Sequence, residues 1–513
     1  MSEKNKYGQY FTIQVIAEFM VSLITKEKSA TILEPSCGKG IFLDELLKAG
    51  FNNLSAYEID KTLETNHSFI KYESFVSSPI TEKFNVIIGN PPYIRWKNIE
   101  PELKEELQDN ALWNKYFNSL CDYLFIFILK SIEQLEENGE LIFICTEYWL
   151  NTTHSLSLRN YMCENGIFEE IYHFKEAPLF EKVNASFIIF KYRKTTNRVK
   201  NPITLYFYNK KGAPMKDELH ELSCFNKMEI PPFEANSRWL LATKEVQEEL
   251  KNFEASCISG NDLFSTTLDR IGDFCDIGNG MVSGLDAAFK VSNVDELTEY
   301  EKKSTIKVLK AKDLEVYNYA SSSTYLYVDE NISEQEFTDK YPNFFKQLEP
   351  YLEKLDARYS YGRHIPFWEF VFPRNKKLFE RPEPKIFIPC KERISKKHYF
   401  RFCLAPIGFY PLQDVTGILK KETCNESIEY ILAYLNNERV YNWLYYNGIM
   451  KGAIVEFSEA PIASIPYRKI NWSNNQEAEI HNKITEETRN FLNDKCKSHI
   501  ININNLFNSL FHG

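Results

Sequence analysis

Thr31-Ile32-Leu33-Glu34-Pro35-Ser36-Cys37-Gly38-Lys39-Gly40-Ile41-Phe42-Leu43 is the stretch on which the fold turns. Thr31 to Leu33 is short, apolar and β-branched, as a buried strand requires. Small and turn-forming residues follow, and from Ile41 to Ala49 apolar positions recur at helical spacing. Strand, Gly-x-Gly turn and helix in that order form the ligand-binding half of a doubly wound sheet, where glycine lets a ligand lie against the backbone. Taken alone, the turn also fits an ordinary strand-to-helix junction. The next strand, Leu54 to Ile59, narrows the choice. It ends with Glu58, twenty residues past Gly38, where such a unit offers a carboxylate to ribose hydroxyls, and Ile59 can cover one face of an adenine.

A second marker closes the apolar run Phe84-Asn85-Val86-Ile87-Ile88-Gly89. Asn90-Pro91-Pro92-Tyr93 combines an amide oxygen, a backbone carbonyl held still by two prolines of fixed φ, and an aromatic ring. Those groups suit a planar ring bearing an exocyclic amine: the two oxygens accept its hydrogens, and the tyrosine stacks on the ring. The alternative is a proline-rich turn after a buried strand. Glycine turn, Glu58 and this tetrapeptide would all fall at the carboxyl edge of one parallel sheet, where open α/β folds bind ligands.

Around these anchors the chain reads as alternating elements. A helix is expected from Ile13 to Lys26, N-capped by Thr12. Another runs from Cys121 to Glu136 and is ended by Gly139, and strands follow at Leu141–Cys145, Phe168–Phe174 and Ser186–Tyr192. The charged stretch Ile94–Ser119, with Arg95, Trp96 and Trp113, reads equally as a lid, a nucleic-acid-contacting loop or a solvated helix with anchoring aromatics. A composition shift at Ile230-Pro231-Pro232-Phe233 sets the expected boundary between a first domain, 1–235, and a second, 236–513. Beyond it, Gly278 to Gly284 is turn-rich. Strand-like runs at Thr324–Val328, Lys385–Pro389 and Tyr399–Leu404 alternate with helices, and the last forty residues are helical in pattern. The expected fold class is α/β, a doubly wound Rossmann-like sheet followed by a mixed α+β domain.

With 513 residues the chain exceeds a single core, and 43% hydrophobic and 15% aromatic residues mark a globular protein. The first residues contain no apolar targeting core, and the longest apolar run, Tyr123 to Leu129, is too short for a bilayer, so a cytoplasmic protein with no membrane partner is expected. Eleven cysteines without a Cys-x-x-Cys pair, beside nine histidines, imply neither a disulfide framework nor a metal site. The net charge of −10 argues against nucleic acid only globally. Residues 358 to 401 hold twelve Lys or Arg against four Glu, a basic stripe compatible with one-sided DNA contact, in which Arg363, Arg374, Lys391 and Arg393 are the candidate contacts to phosphate or guanine.

In this order of parts the sequence resembles the gamma-class DNA adenine-N6 methyltransferases of restriction-modification systems. The likeness is carried by Tyr7 to Thr12, Leu33 to Gly40, Glu58-Ile59-Asp60, Asn90 to Tyr93, and Asn184-Ala185-Ser186-Phe187 after Phe180. It continues more loosely through Gly278–Phe289 and Arg363-His364 with Trp368. The resemblance implies a catalytic domain followed by a target-recognition domain, S-adenosylmethionine as methyl donor, double-stranded DNA as substrate and a cognate restriction endonuclease as partner. It implies that Tyr7, Tyr10, Thr12, Glu34, Pro35, Ser36, Gly38, Gly40, Glu58, Ile59, Ser74, Phe75 and Asn90 hold the cofactor. Asn90, Pro91, Pro92 and Tyr93 would hold the target base, with Phe180 as its second aromatic wall, and Trp368 would join the DNA contacts. One departure stands out: the family usually carries Asp-Phe sixteen residues before the Asn, and here Ser74-Phe75 stands in that place, leaving Ser74 or Glu73 as the acceptor for the cofactor's adenine amine. Two other readings remain open, a methyltransferase for another planar amine (a protein glutamine or guanine N2 of ribosomal RNA) and a DNA-binding protein on a catalytically lapsed methyltransferase fold. Glu383-Pro384-Lys385 fits a nuclease triplet, but such triplets arise by chance.

Overall fold

The computed structural model describes residues 7–180, 185–197, 199–258, 267–358, 362–394, 398–451 and 453–512; Asn184 lies outside them. The chain forms two compact units, residues 1–247 with 451–453, and 248–450 with 454–513. The sequence reading puts the division after residue 235. Trp239 stacks on Phe233 with ring centroids 4.5 Å apart and is buried in the core of the first unit, which keeps this stretch there.

The first unit runs α1 (Gln14–Ser22), β1 (Ile32–Glu34), α2 (Ile41–Lys48), β2 (Leu54–Tyr57), β3 (Ile70–Lys71), β4 (Phe84–Gly89), α3 (Pro101–Gln108), α4 (Ala111–Tyr116), α5 (Tyr123–Gln134), β5 (Leu135–Thr146), α6 (Leu156–Asn165), β6 (Gly166–Lys175), β7 (Phe187–Lys194), β8 (Ile203–Tyr208), α7 (Lys216–His220) and β9 (Phe225–Ile230). Among the described residues the strands form one sheet in the order β3-β2-β1-β4-β5-β7-β6-β8-β9. The neighbours from β3 to β5 pair in parallel, and β7 runs antiparallel to both β5 and β6. The strand order turns back between β1 and β4, so a crevice opens at their carboxyl ends, the position at which open α/β sheets take ligands. Ile32 pairs with Val86 and Leu33 with Ile87, a register that, carried on, sets Pro35-Ser36 beside Gly89-Asn90 at the mouth of that crevice, where Ser36 Oγ donates to Asn90 O.

Alternation along β4 decides the layers. Ile87 enters the core built with α3, α4, α5 and α6, while Val86 and Ile88 enter the opposite core built with α1 and α2. Both faces are covered, so β4 reads as a continuous apolar run.

Several elements differ from their sequence reading. The helix expected to Glu136 ends at Gln134, and Gly139 lies inside β5, where the β4–β5 register shifts and Asn138 adopts φ +63°. A bulge, rather than a helix stop, explains that glycine. The segment before Ile230 holds β8 and β9, whose mixed burial obscured them in the sequence. Of the readings for Ile94–Ser119, the solvated helix with anchoring aromatics holds: α3 and α4 keep exposed polar faces, while Trp113 is buried, stacks on Trp96 at 5.6 Å, and joins Leu103 and Leu107 in the core. Thr12 does not cap α1, whose N-cap is Ile13 without a side-chain bond.

The second unit is α+β. Its four-stranded sheet runs Cys275–Asn279, Val415–Lys420, Lys385–Pro389, Cys403–Ala405, and two three-stranded sheets accompany it. The expected strand from Tyr399 is confined to 403–405, and the one from Thr324 is Ser323–Leu326. Asn475–Asp494 and Lys497–His512 form a packed terminal helix pair. None of the described helices is long and apolar enough to cross a membrane.

Candidate active site

At the carboxyl ends of β1 and β4 lies a cleft of about 630 Å³, counted to its open mouth and including open solvent. Three sequence-predicted segments form its polar side: Tyr7 and Tyr10 from the lead-in, Pro35, Ser36 and Gly38 from the turn, and Glu58 with Ile59 after β2. Ser74, Phe75, Asn90 and Pro92 also line it, whereas Thr12, Glu34 and Gly40, expected to hold the cofactor, and Pro91, Tyr93 and Phe180, expected to hold the base, stand behind the lining, and Glu73 is exposed and does not line the cleft. The sequence reading missed Ile94, Leu103, Tyr123 and Phe127, which make an apolar slot. They are apolar residues of helices and loops, indistinguishable from core until the chain is folded.

The glycine turn is a turn because of its backbone. Gly38 and Gly40 hold φ +53° and +83°, a region costly for side-chain-bearing residues, and Gly40 is the N-cap of α2. Gly38 N donates to Glu58 Oε2 at 2.8 Å, and Asp60 N donates to Oε1 at 2.8 Å, so the carboxylate ties the turn to the end of β2. Burial pushes the Glu58 carboxyl above its ordinary range, against the pull of those backbone donors. Glu34 is 1% exposed, and among the described residues its Oε2 has no hydrogen-bond partner. Burial, then the charges of Glu58 and Asp44, hold its carboxyl well above the usual range. A buried, unpaired carboxylate oxygen next to a glycine turn favours a ligand that brings a cation or a donor. Beside it, the slot of Ile59, Phe75, Leu103 and Phe127 takes a flat apolar ring. The donor set therefore fits a cofactor with a purine at one end and a positive charge at the other.

Asn90 is pinned at its nitrogen. Its Nδ2 donates to Tyr10 O at 2.8 Å and to Thr12 Oγ1 at 3.1 Å, which is where the Thr12 hydroxyl is engaged instead of capping α1. Both amide hydrogens are thus held by protein, and the oxygen end is fixed in orientation. The Tyr93 hydroxyl lies against Asn90 Oδ1 and within 2.7 Å of Ile144 O. It has one proton, so it can release Asn90 Oδ1 by donating to Ile144. Burial holds the phenol well above its ordinary range, keeping it a neutral donor. Pro91 is buried, and Ser36 Oγ donates to the Asn90 carbonyl at 3.3 Å. Gly8, at φ +64°, lets the lead-in segment lie on the acceptor loop; a Cβ there would stand 2.4 Å from Ile94.

Tyr10 stacks on Tyr93 at 6.0 Å and meets Phe180 edge-on at 6.4 Å, and Phe180 packs on Phe187 at 4.7 Å. The two expected base walls, Tyr93 and Phe180, therefore share one aromatic neighbour, Tyr10, which is 38% exposed.

In the second unit the basic window divides. Arg358 is bound to the carbonyls of Ser283, Leu355, Pro366 and Glu369, Lys385 is fully buried on two carbonyls, and Arg381 and Arg401 pair with Asp276 and Glu392. Arg363 and Arg374 each give one hydrogen bond to a carbonyl, of Val371 and Gly280, and Arg363, Lys391 and Arg393 are exposed. Trp368 corrects the sequence reading. It is 4% exposed, stacked on Phe337 at 4.7 Å in the core, so its ring is a packing element with no surface to offer DNA.

Comparison with known proteins gives concordant results. Residues 17–180 match the Eco57I restriction-modification methylase family. Over 511 residues, 98% of each chain, the sequence is 44% identical to the type II methyltransferase M.HindII of Haemophilus influenzae. It is 42% identical over 505 residues to M.HincII of Haemophilus influenzae, covering 98% of this chain and 97% of that one. Among solved structures, the type IIL restriction-modification enzyme MmeI in complex with DNA shares the fold, with a TM-score of 0.58 at 11% identity over 97% of this chain and 72% of that chain.

Proposed function

The chain belongs to the type II DNA methyltransferases of restriction-modification systems, and from that membership we propose that it methylates N6 of an adenine turned out of duplex DNA, with S-adenosylmethionine as donor. The observation that carries the reading is the pinned Asn90 amide, whose hydrogens are taken by Tyr10 O and Thr12 Oγ1 and whose oxygen can accept once the Tyr93 hydroxyl donates to Ile144 O instead.

Adenine N6 is a poor nucleophile because its lone pair is delocalised into the ring. Asn90 Oδ1 and the Pro91 carbonyl accept its two hydrogens, which favours a pyramidal nitrogen with the lone pair directed at the donor. When bound, the donor would supply an electrophilic methyl and leave as a neutral thioether, and the surplus N6 proton would pass to solvent along the hydrogen bonds to Asn90 Oδ1 or the Pro91 carbonyl. The protein contributes position and charge complementarity rather than a covalent intermediate. Glu34 pairs with the donor's ammonium and Glu58 receives its ribose hydroxyls. Turning the base out costs roughly a few kcal/mol, and stacking on Tyr93 and Phe180 returns about 1–3 kcal/mol per ring. The Tyr10 ring, in contact with both, moves aside as the base enters. Arg363, Arg374, Lys391 and Arg393 serve the target-recognition unit as phosphate or base contacts.

Single-molecule sequencing of DNA from a methylation-free host expressing this chain tests the proposal. N6-methyladenine in one short sequence context is the expected result. N4-methylcytosine, or unmodified DNA from a host that makes the folded protein, overturns it.

A further inference from the structure

At the edge of the cleft's apolar slot stands a polar pair that no sequence motif supplies, one member lining the slot and the other directly behind it. Ser74 lines the slot, and its Oγ donates to Glu106 Oε1. Glu106 lies on α3, between Leu103 and Leu107, which are 4% and 0% exposed, so core packing fixes the face from which the carboxylate reaches. Leu103 itself lines the slot. Ser74 is held in turn: its carbonyl accepts from Ser78 N at 3.0 Å and Ser78 Oγ at 2.6 Å, and its hydroxyl accepts from Ser77 N at 3.5 Å. Among the described residues Glu106 Oε2 takes no hydrogen bond, so one carboxylate oxygen is anchored and the other remains to accept.

A purine amine in an apolar slot needs an acceptor, since an unpaired buried donor is costly. A serine hydroxyl already donating to a carboxylate is a weak one, and the carboxylate is strong. We propose that Glu106, steadied by Ser74, accepts the exocyclic amine of the cofactor's adenine. This rests on the reading of the cleft as an S-adenosylmethionine site. It gives the segment after the acceptor loop a role: α3 supplies Leu103 to the wall of the cofactor slot and Glu106 behind it.

Binding of two ligands that differ at this one position tests the assignment without turnover. Inosine carries a carbonyl where adenosine carries the amine, so a carboxylate favours adenosine and repels inosine. By calorimetry, the full-length protein is expected to bind S-adenosylhomocysteine at least about 30-fold more tightly than S-inosylhomocysteine. Glu106→Gln, whose amide can rotate to donate, is expected to lose about 10-fold for the adenosyl ligand and to bring the two within about threefold. Glu106→Ala combined with Ser74→Asp is expected to restore the preference for the amine. Wild-type preference retained in Glu106→Gln overturns the role of Glu106. Wild-type protein that binds neither ligand overturns the cofactor reading, and this inference with it.

Discussion

Two regions of this protein carry dense polar sequence, the cleft of the first unit and the basic window of the second, and they differ in what folding leaves available. At the cleft, folding holds groups in place and leaves them available: Glu34 Oε2 is buried without a partner among the described residues, and the Asn90 nitrogen is anchored while its oxygen meets only the Tyr93 hydroxyl, which has Ile144 O as a second acceptor. In the window, folding consumes many of the charges: Arg358, Arg381, Lys385 and Arg401 are bound to carbonyls and carboxylates of their own unit. Unsatisfied polarity at a strand end points to a ligand, whereas charge density along a sequence points first to structure.

Trp368 gives the sharpest way to break this contrast, since sequence marked it for DNA and the structure puts it in the core. Trp368→Ala is expected to cost about 3–5 kcal/mol in urea unfolding by loss of packing. Trp368→Phe, which removes an indole N–H that is buried without a partner among the described residues, is expected to leave DNA affinity within about twofold of wild type. A large loss of DNA binding by a stably folded Trp368→Phe would return the residue to the interface.

Glu34 probes the cleft side. Its proton affinity is raised in the folded state, so the residue costs nothing while protonated in both states and becomes destabilising as pH rises from the ordinary carboxylate range through the raised folded value. Glu34→Gln is therefore expected to stabilise the cofactor-free protein by about 1–3 kcal/mol at pH 8, with the gain vanishing toward about pH 4.5. The same variant is expected to weaken S-adenosylmethionine binding about tenfold. Unchanged affinity would mean that the unpaired oxygen is not waiting for a cation.

The smallest effects belong to the window's less committed charges, exposed Arg363 and half-buried Arg374. Arg363→Ala and Arg374→Ala are each expected to weaken DNA binding by about 1 kcal/mol and to lower the salt slope by about one ion, while Arg358→Ala is expected to act on stability. Equal effects of all three on the salt slope would erase the distinction between committed and available cations.

The catalytic sheet was legible because its markers are local. Glu34 to Gly40 and Asn90 to Tyr93 sit directly after their strands, so chain connectivity alone brings them to one edge once β1 and β4 pair. What sequence could not show depends on contacts between distant segments. Thr12 reads as a helix cap, but its hydroxyl is claimed by Asn90, seventy-eight residues on. Glu106 reads as one more charge on a solvated helix until Leu103 and Leu107 bury the neighbouring face and turn it to Ser74. Gly139 reads as a helix stop because a bulge has no sequence period of its own.

Single-turnover methyl transfer by Asn90→Ala, at saturating DNA and S-adenosylmethionine, tests the central claim most directly. With the amide oxygen gone and nothing to hold the amine pyramidal, the rate is expected to fall at least about 1000-fold, with cofactor affinity, measured separately, changing far less. A rate within about threefold of wild type would contradict the role of Asn90 as the acceptor of the target amine.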